Sequence, residues 1–231
     1  MLAASAFFSQ QAGLAMEQGE NLAEEPGTLR LLERMLFFSD AVFAIVLTLL
    51  VLELRLPAGI TEPSLFRGVL AMVPKLVSFA TSFALVSVFW IAHLTITRRL
   101  IRFDWAVAWA NLLFLFTITL TPFVSTPLGE YGVFGNAWRL YCLALIAIGL
   151  AQIILFLVIY RGNGRLIGGV SRRAFWHRFT RAISPCATFT ILLALSLMGF
   201  ARLSFYLCWV TIPAILILAR FALGRGGESA D

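Results

Sequence analysis

The sequence predicts an all-α integral membrane protein with six transmembrane helices. Two observations carry this prediction: the composition is far more apolar than that of a soluble domain, and the apolar residues form long unbroken runs. Of 231 residues, 60% are hydrophobic and 13% are charged, whereas soluble domains carry about 25% charged residues. Lipid cannot satisfy backbone polar groups, so only helices or a closed barrel can span it. The runs are too long for barrel strands, so helices are expected.

The chain begins with a segment that is expected to be a mobile tail, residues 1–28. This segment lacks the basic start of a signal peptide and turns acidic at Glu17, Glu20, Glu24 and Glu25. Pro26 and Gly27 then mark a break, and Thr28 is a candidate helix N-cap. Residues 29–223 are predicted to form one six-helix transmembrane domain, followed by a C-terminal tail over residues 224–231.

The first predicted span covers residues 37–54, an apolar run about long enough to cross a bilayer. Five further runs predict the remaining spans, at 73–94, 105–124, 138–160, 183–200 and 203–223. The longest connection between them, residues 161–181, is too short to hold a soluble domain.

The basic residues predict the orientation, because short cytoplasmic loops are enriched in Lys and Arg. With the N-terminus inside, 13 of the 18 basic residues fall on the cytoplasmic side and five fall outside. Both termini are therefore expected in the cytoplasm, in a multi-pass protein of the cell membrane. The net charge of +6 follows this topology, so no nucleic-acid partner is expected, and the lipid bilayer is the expected surrounding.

Asp40 lies little more than one helical turn inside the first span. Burying an ionisable group there costs about 3 kcal/mol unless it has a partner. Trp90 and His93 share one face of the second span, and their ring N–H groups are expected to hydrogen-bond Ser39 and Asp40. A structural clamp is the favoured interpretation and a proton relay the alternative, since no chain of acids continues across the bilayer.

The first span also carries a stripe that runs along the helix on the side away from Ser39 and Asp40. At about 100° per residue, its members are Phe38, Ala41, Ile45, Thr48, Leu49 and Leu52. Packing against other helices is the ordinary role of such a stripe.

These residues carry a family resemblance. Arg34 with Phe38-Ser39-Asp40, followed by Ala41-Val42-Phe43-Ala44-Ile45 and Thr48, resembles the first-helix signature of the transmembrane protein 175 family of potassium channels. The family is found in lysosomes and in many prokaryotes. Further agreement comes from Trp90, His93, Asn111 and Pro122-Phe123. No second Phe-Ser-Asp occurs in residues 120–231, so the chain is similar to single-repeat prokaryotic members.

The resemblance implies a homotetramer in which the first helices line a central pore, with no re-entrant selectivity-filter loop. It assigns the pore constriction to Ile45, Leu49 and Leu52, and it makes Thr48 the selectivity candidate. The implied structural network consists of Arg34, Phe38, Ser39, Asp40, Trp90, His93 and Asn111. Glu53 either attracts cations at the outer mouth of the pore or pairs locally with Arg55 or with lipid headgroups.

Two functions remain after the motifs have been weighed. The first is a potassium-preferring cation channel whose hydrophobic constriction serves as the gate. The second is a proton- or solute-coupled secondary transporter that uses Asp40 and His93.

An enzyme is not expected, since the chain has two histidines and no hydrolase motif. Neither a cofactor nor a metal site is expected; the permeant ion would be K⁺. Cys142, Cys186 and Cys208 are interpreted as buried small hydrophobes.

Overall fold

A computed structural model describes residues 27–56, 59, 61–132, 135–168 and 171–211. Helix α1 covers Gly27–Glu53 and ends in a 3-10 turn at Leu50–Glu53. It is followed by α2 (Leu65–Ala71), α3 (Val73–Thr97), α4 (Trp105–Thr119), α5 (Thr121–Tyr131), α6 (Asn136–Gly164), α7 (Arg172–Leu197) and α8 over residues 201–211. The predicted all-α class is confirmed for these residues. The two predicted tails lie outside them, apart from residues 27 and 28.

Five segments of the described chain are long and apolar enough to cross a membrane. They are Gly27–Glu53, Val73–Thr97, Trp105–Tyr131, Asn136–Arg161 and Ala174–Leu197. Each one overlaps one of the first five predicted spans. The sixth predicted span, 203–223, begins in α8 and continues beyond the described residues, so a total of six spans stays a prediction.

The third span is longer than predicted and is interrupted at Leu120, between α4 and α5. Pro122 lies in the first turn of α5, where its missing N–H leaves no helical bond unmade. The helix therefore resumes after the break and continues past the predicted end at residue 124 to Tyr131.

Helix α7 begins within the stretch that was predicted to be a basic connection. Ser171 caps its N-terminus, with Oγ accepting from the Ala174 N–H at 3.3 Å. Phe175 and Phe179 are one turn apart on α7, and both rings contact Phe156 of α6, with centroids 5.7 and 5.9 Å away. This aromatic packing extends the helix toward its N-terminus. The connection between α6 and α7 is correspondingly shorter than residues 161–181.

A short helix, α2, was not predicted. It follows a turn in which the side chains of Thr61 and Ser64 cap each other's backbone N–H groups. Pro63 lies at the start of that turn, where its fixed φ favours a helical conformation. These local signals outweigh the modest apolar content of residues 65–71.

Helix α6 lies at the centre of the described chain and packs against α4, α5 and α7. Its buried face includes Trp138, Tyr141, Leu145, Phe156 and Ile159. Helix α7 approaches so closely that a Cβ on Gly149 would lie 2.9 Å from Cys186 Cβ. Small residues permit such approaches between membrane helices. The three cysteines are buried and free, as predicted.

The connection between α3 and α4 is fixed to the end of α6. Asp104 caps α4 by accepting from the N–H groups of Ala106 and Val107 at 2.8 and 3.2 Å. Its other oxygen lies 2.7 Å from Arg161 Nη2. Partial burial works to raise the pKa of Asp104, but these hydrogen bonds and the charge of Arg161 outweigh it. The pKa of Asp104 therefore lies below its usual range.

Candidate functional site: the first helix and its polar network

Helix α1 has two different faces. One face is buried against the rest of the subunit through Leu32, Ser39, Phe43, Val46 and Leu50. These positions recur every three, four or seven residues, which is the spacing of one helix face. The subunit therefore holds α1 by one side only.

The opposite face is exposed along its length, and it carries the predicted stripe. The exposed fractions of its large apolar side chains are 52% for Phe38, 56% for Ile45, 41% for Leu49 and 57% for Leu52. Ala41 and Thr48 are exposed as well. Nothing within the described part of the chain covers this face, so it is available to lipid, to another chain or to a pore.

Thr48 is the polar member of the stripe. Its hydroxyl donates to the carbonyl oxygen of Ile45 at 2.8 Å. A hydroxyl that donates its hydrogen to the backbone keeps lone pairs on oxygen. Thr48 can therefore present an acceptor oxygen to a cation on the exposed face.

Asp40 has a direct partner on α3. The indole N–H of Trp90 donates to Asp40 Oδ1 at 3.0 Å. Asp40 also lines a crevice of about 560 Å³ at the Arg98 end of α3, together with Leu36 and Leu94. The carboxylate is thus held on one side and borders open space on another.

A second row of hydrogen bonds joins α3, α4 and α1. His93 Nε2 and Asn111 Oδ1 lie 2.8 Å apart, Asn111 Nδ2 donates to Ser39 Oγ at 2.8 Å, and Ser39 Oγ donates to the Met35 carbonyl at 2.9 Å. Because an amide oxygen only accepts, His93 Nε2 carries the proton. Ser39, His93 and Asn111 are all buried.

The His93 ring is fixed by aromatic neighbours. It stacks on Phe114 with centroids 5.4 Å apart and an interplanar angle of 5°, and Phe43 contacts it at 5.8 Å. Its Nδ1 is buried and has no hydrogen-bond partner in the described part of the chain. The ring is held mainly by packing and by its single bond to Asn111.

The predicted contacts are therefore only partly the observed ones. Trp90 reaches Asp40 directly, whereas His93 reaches Ser39 through Asn111, a bridging role that the sequence analysis did not anticipate. The sequence does contain a feature that indicates this role. Asn111 is a lone amide in an apolar run, and an amide can donate and accept hydrogen bonds at once. Arg34 and Phe38 lie on the exposed side of α1, and the described contacts do not join them to this network.

Glu53 lies at the other end of α1. It lines a cavity of about 20 Å³, room for about one water, together with Lys75, Ser78 and Glu130. Arg55 instead donates from Nε to the carbonyl of Leu52 at 3.3 Å. Within the described residues the local environment of Glu53 is thus formed by α3 and α5, and no ion pair with Arg55 is seen.

Comparisons with known proteins agree with this geometry. Residues 34–122 match the family described as the endosomal/lysosomal potassium channel TMEM175. A potassium channel of Chamaesiphon minutus is 33% identical over 184 residues, covering 79% of this chain and 88% of that protein. The chain belongs to the TMEM175 family. The family membership predicted from the first-helix signature is confirmed.

The structural comparison extends the relationship beyond the signature. The crystal structure of a lysosomal potassium-selective TMEM175 homolog from Chamaesiphon minutus is similar with a TM-score of 0.69 at 27% identity, covering 81% of this chain and 97% of that one. The human endosomal/lysosomal proton channel TMEM175 is 30% identical over 129 residues, covering 53% of this chain and 25% of the human protein. This TMEM175 protein is thus a multi-pass membrane protein of an ion-channel family and not an enzyme.

Proposed function

We propose that this TMEM175 protein is a potassium-preferring cation channel, formed by four identical chains around a pore lined by α1. The observation that carries the proposal is the two-sided character of α1: its Ser39 face is buried, and its apolar stripe is exposed along the helix. One helix cannot enclose a pore, so copies must meet around an axis. The potassium-channel names of the relatives support the choice of ion.

The gate in this proposal is a set of apolar rings formed by Ile45, Leu49 and Leu52. An apolar constriction blocks ions by excluding water, and it conducts when it widens or wets. Thr48 lies on the same face and contributes an oxygen that replaces part of the hydration shell of K⁺. Selectivity should be modest, because a hydroxyl ring offers fewer ligands than stacked backbone carbonyls.

The polar network gives α1 its rotational position. Trp90 holds Asp40 from α3, and Asn111 holds Ser39 from α4, so two neighbours bind adjacent residues of α1. Turning the stripe away from the axis would break both bonds. The network therefore supports the pore without taking part in permeation.

The proposal also includes the orientation of the chain in the membrane and the role of Glu53 at the outer mouth of the pore. Both termini face the cytoplasm in the cell membrane, as the distribution of basic residues suggests. Glu53 then lies at the outer end of α1 and raises the local cation concentration. Lys75 beside the same cavity reduces that effect.

The transporter alternative has less support. Coupled transporters commonly carry interrupted helices at a midplane site, whereas α1 runs from Gly27 to Glu53 and departs from α-geometry only in its last turn. Asp40 and His93 also hydrogen-bond different partners, Trp90 and Asn111, although both residues line the same crevice.

The deciding experiment is a reversal-potential measurement in a planar bilayer with K⁺ on one side and Na⁺ on the other. The parent should show a current that favours K⁺, Leu49→Ala should increase basal current, and Thr48→Ala should move the reversal potential toward zero. Leu143→Ala is the matched control, since Leu143 is similarly exposed on α6. A current that needs an added proton or solute gradient and disappears in Asp40→Asn would favour the transporter. The purified protein should also have the mass of four chains.

A further inference from the structure

The connection between α3 and α4 is attached to the C-terminal end of α6. The Ile101 N–H donates to the Leu166 carbonyl at 3.0 Å. Arg161 Nη2 binds both oxygens of Asp104, at 2.9 and 2.7 Å. Arg99 belongs to this connection, and these two attachments hold it beside the last turns of α6.

Arg178 reaches the same end of α6 from α7. Its Nη1 donates to the hydroxyl of Tyr160 at 3.2 Å, and its Cζ lies 5.9 Å from the centre of the Tyr160 ring. The Tyr160 ring in turn stacks on Phe156, with centroids 4.1 Å apart. Arg178 is therefore positioned by a rigid aromatic support before any ligand arrives.

These two arginines approach the same end of α6, and neither has an acidic partner in the described part of the chain. The nearby carboxylate, Asp104, is already bound to Arg161. The charge of Arg178, then partial burial and the charge of Arg98, lower the pKa of Arg99. Like charges are thus gathered at the C-terminal end of α6, which is unfavourable unless an anion joins them.

The surroundings of the pair match the headgroup region of a bilayer. Arg99 lies just beyond the end of the span at Thr97, and Tyr160 lies beside the end of the span at Arg161. Trp105 and Trp176 are 70% and 53% exposed nearby in the sequence, and such amphipathic rings favour the membrane interface. Further arginines flank the pair in the connections and at the start of α7, at Arg98, Arg102, Arg165, Arg172 and Arg181.

We propose that Arg99 and Arg178 bind the phosphate of an anionic phospholipid headgroup, and we call this pair the Arg99–Arg178 site. Guanidinium groups bind phosphate oxygens through paired N–H donors. One phosphate between the two arginines would replace their repulsion with two attractions and would tie α3 to α7. A lipid is favoured over soluble phosphate because exposed apolar side chains, Trp105, Trp176 and Ile101, are available to its acyl chains.

The test is thermal unfolding of the full chain in nanodiscs of phosphatidylcholine, with and without phosphatidylglycerol. Phosphatidylglycerol should raise the Tm of the parent, and Arg99→Gln should lose more than half of that rise. In phosphatidylcholine alone, Arg99→Gln should unfold at the same Tm as the parent or higher, because it removes a repulsion. This opposite sign distinguishes a lipid site from an ordinary structural arginine. Arg99 is exposed, so the variant is expected to fold.

Three comparisons make the result decisive. Arg178→Gln should lose the same rise, and Arg67→Gln, an exposed arginine on α2, should keep it. Phosphatidylglycerol retained by the purified parent, counted by native mass spectrometry, should fall at least twofold in Arg99→Gln. An unchanged rise in Arg99→Gln would overturn the site. An equal rise caused by inorganic phosphate or glycerol phosphate alone would overturn its assignment to a lipid.

Discussion

Trp90 donates its indole N–H to the carboxylate of Asp40 at 3.0 Å, and this bond joins α3 to α1. Asp40 lies in a span, where an unpartnered carboxylate is costly. Trp90 thus makes an acidic residue tolerable in α1, on the side away from the apolar stripe.

Trp90→Phe should destabilise the protein, because an aromatic ring is kept at this position but the hydrogen bond to Asp40 is lost together with part of the indole. The expected decrease in the free energy of unfolding is about 0.6–2 kcal/mol, the range for polar contacts between membrane helices. Thermal unfolding in detergent measures it. Trp109→Phe serves as the control, since Trp109 is largely exposed on α4. Equal stability of the two variants would remove the clamp interpretation.

Asn111→Leu should be more damaging than removal of another buried amide. Asn111 is bonded on both sides, so its loss leaves Ser39 and the His93 ring with unmet hydrogen-bonding groups and costs about 1–3 kcal/mol. Gln152→Leu is the matched control, because the buried Gln152 amide has no hydrogen-bond partner in the described structure. That variant should be neutral or stabilising in the same unfolding assay. If Gln152→Leu were more destabilising than Asn111→Leu, the role of Asn111 as a bridge between His93 and Ser39 would be contradicted.

Gly149→Ala should weaken the packing of α7 on α6. The added Cβ would lie 2.9 Å from Cys186 Cβ and 3.1 Å from its backbone nitrogen, so the helices must separate. Overpacking of this kind costs about 1–3 kcal/mol, measurable as a lower unfolding temperature. Gly27→Ala meets no atom within 4 Å and should unfold like the parent. A parent-like Gly149→Ala would show that this contact is adaptable.

Asp104→Asn should lower stability in a pH-dependent way. The folded pKa of Asp104 lies below its ordinary value of about 3.9. Its stabilising contribution is therefore full above the unfolded pKa and is lost as the pH falls through the folded pKa. The difference in Tm between parent and variant, followed from pH 7 downward, should be constant near neutrality and shrink below about pH 4. A difference that grows on acidification would contradict the assignment.

Hydropathy and the first-helix signature predicted the class of the protein, the first five spans and the two faces of α1, because these depend on short-range periodicity. The ends of the helices were harder to predict from the sequence. The start of α7 depends on aromatic contacts of Phe175 and Phe179 with a helix distant in sequence, and no local pattern reports such a partner. The interruption at Leu120 likewise reflects Pro122 entering a new helical turn, where a proline usually suggests an end.

The polar site shows the same limit. Spacing alone indicated that Trp90 and His93 share a face of α3, and it could not tell which of them meets α1 directly. That choice depends on the position of α4, which places Asn111 between His93 and Ser39. The residue types show which side chains can hydrogen-bond each other. Which of these hydrogen bonds forms is determined by packing between helices that are distant in sequence.

The row of bonds from His93 through Asn111 to Ser39 has a single direction. Each donor hydrogen in it points toward α1, and the last one ends on the Met35 carbonyl. A side-chain amide does not titrate, so it cannot accept a proton at its oxygen and release another from its nitrogen in the way that a chain of waters does. Asn111 therefore prevents proton transfer from the imidazole to the first helix while fastening the two together.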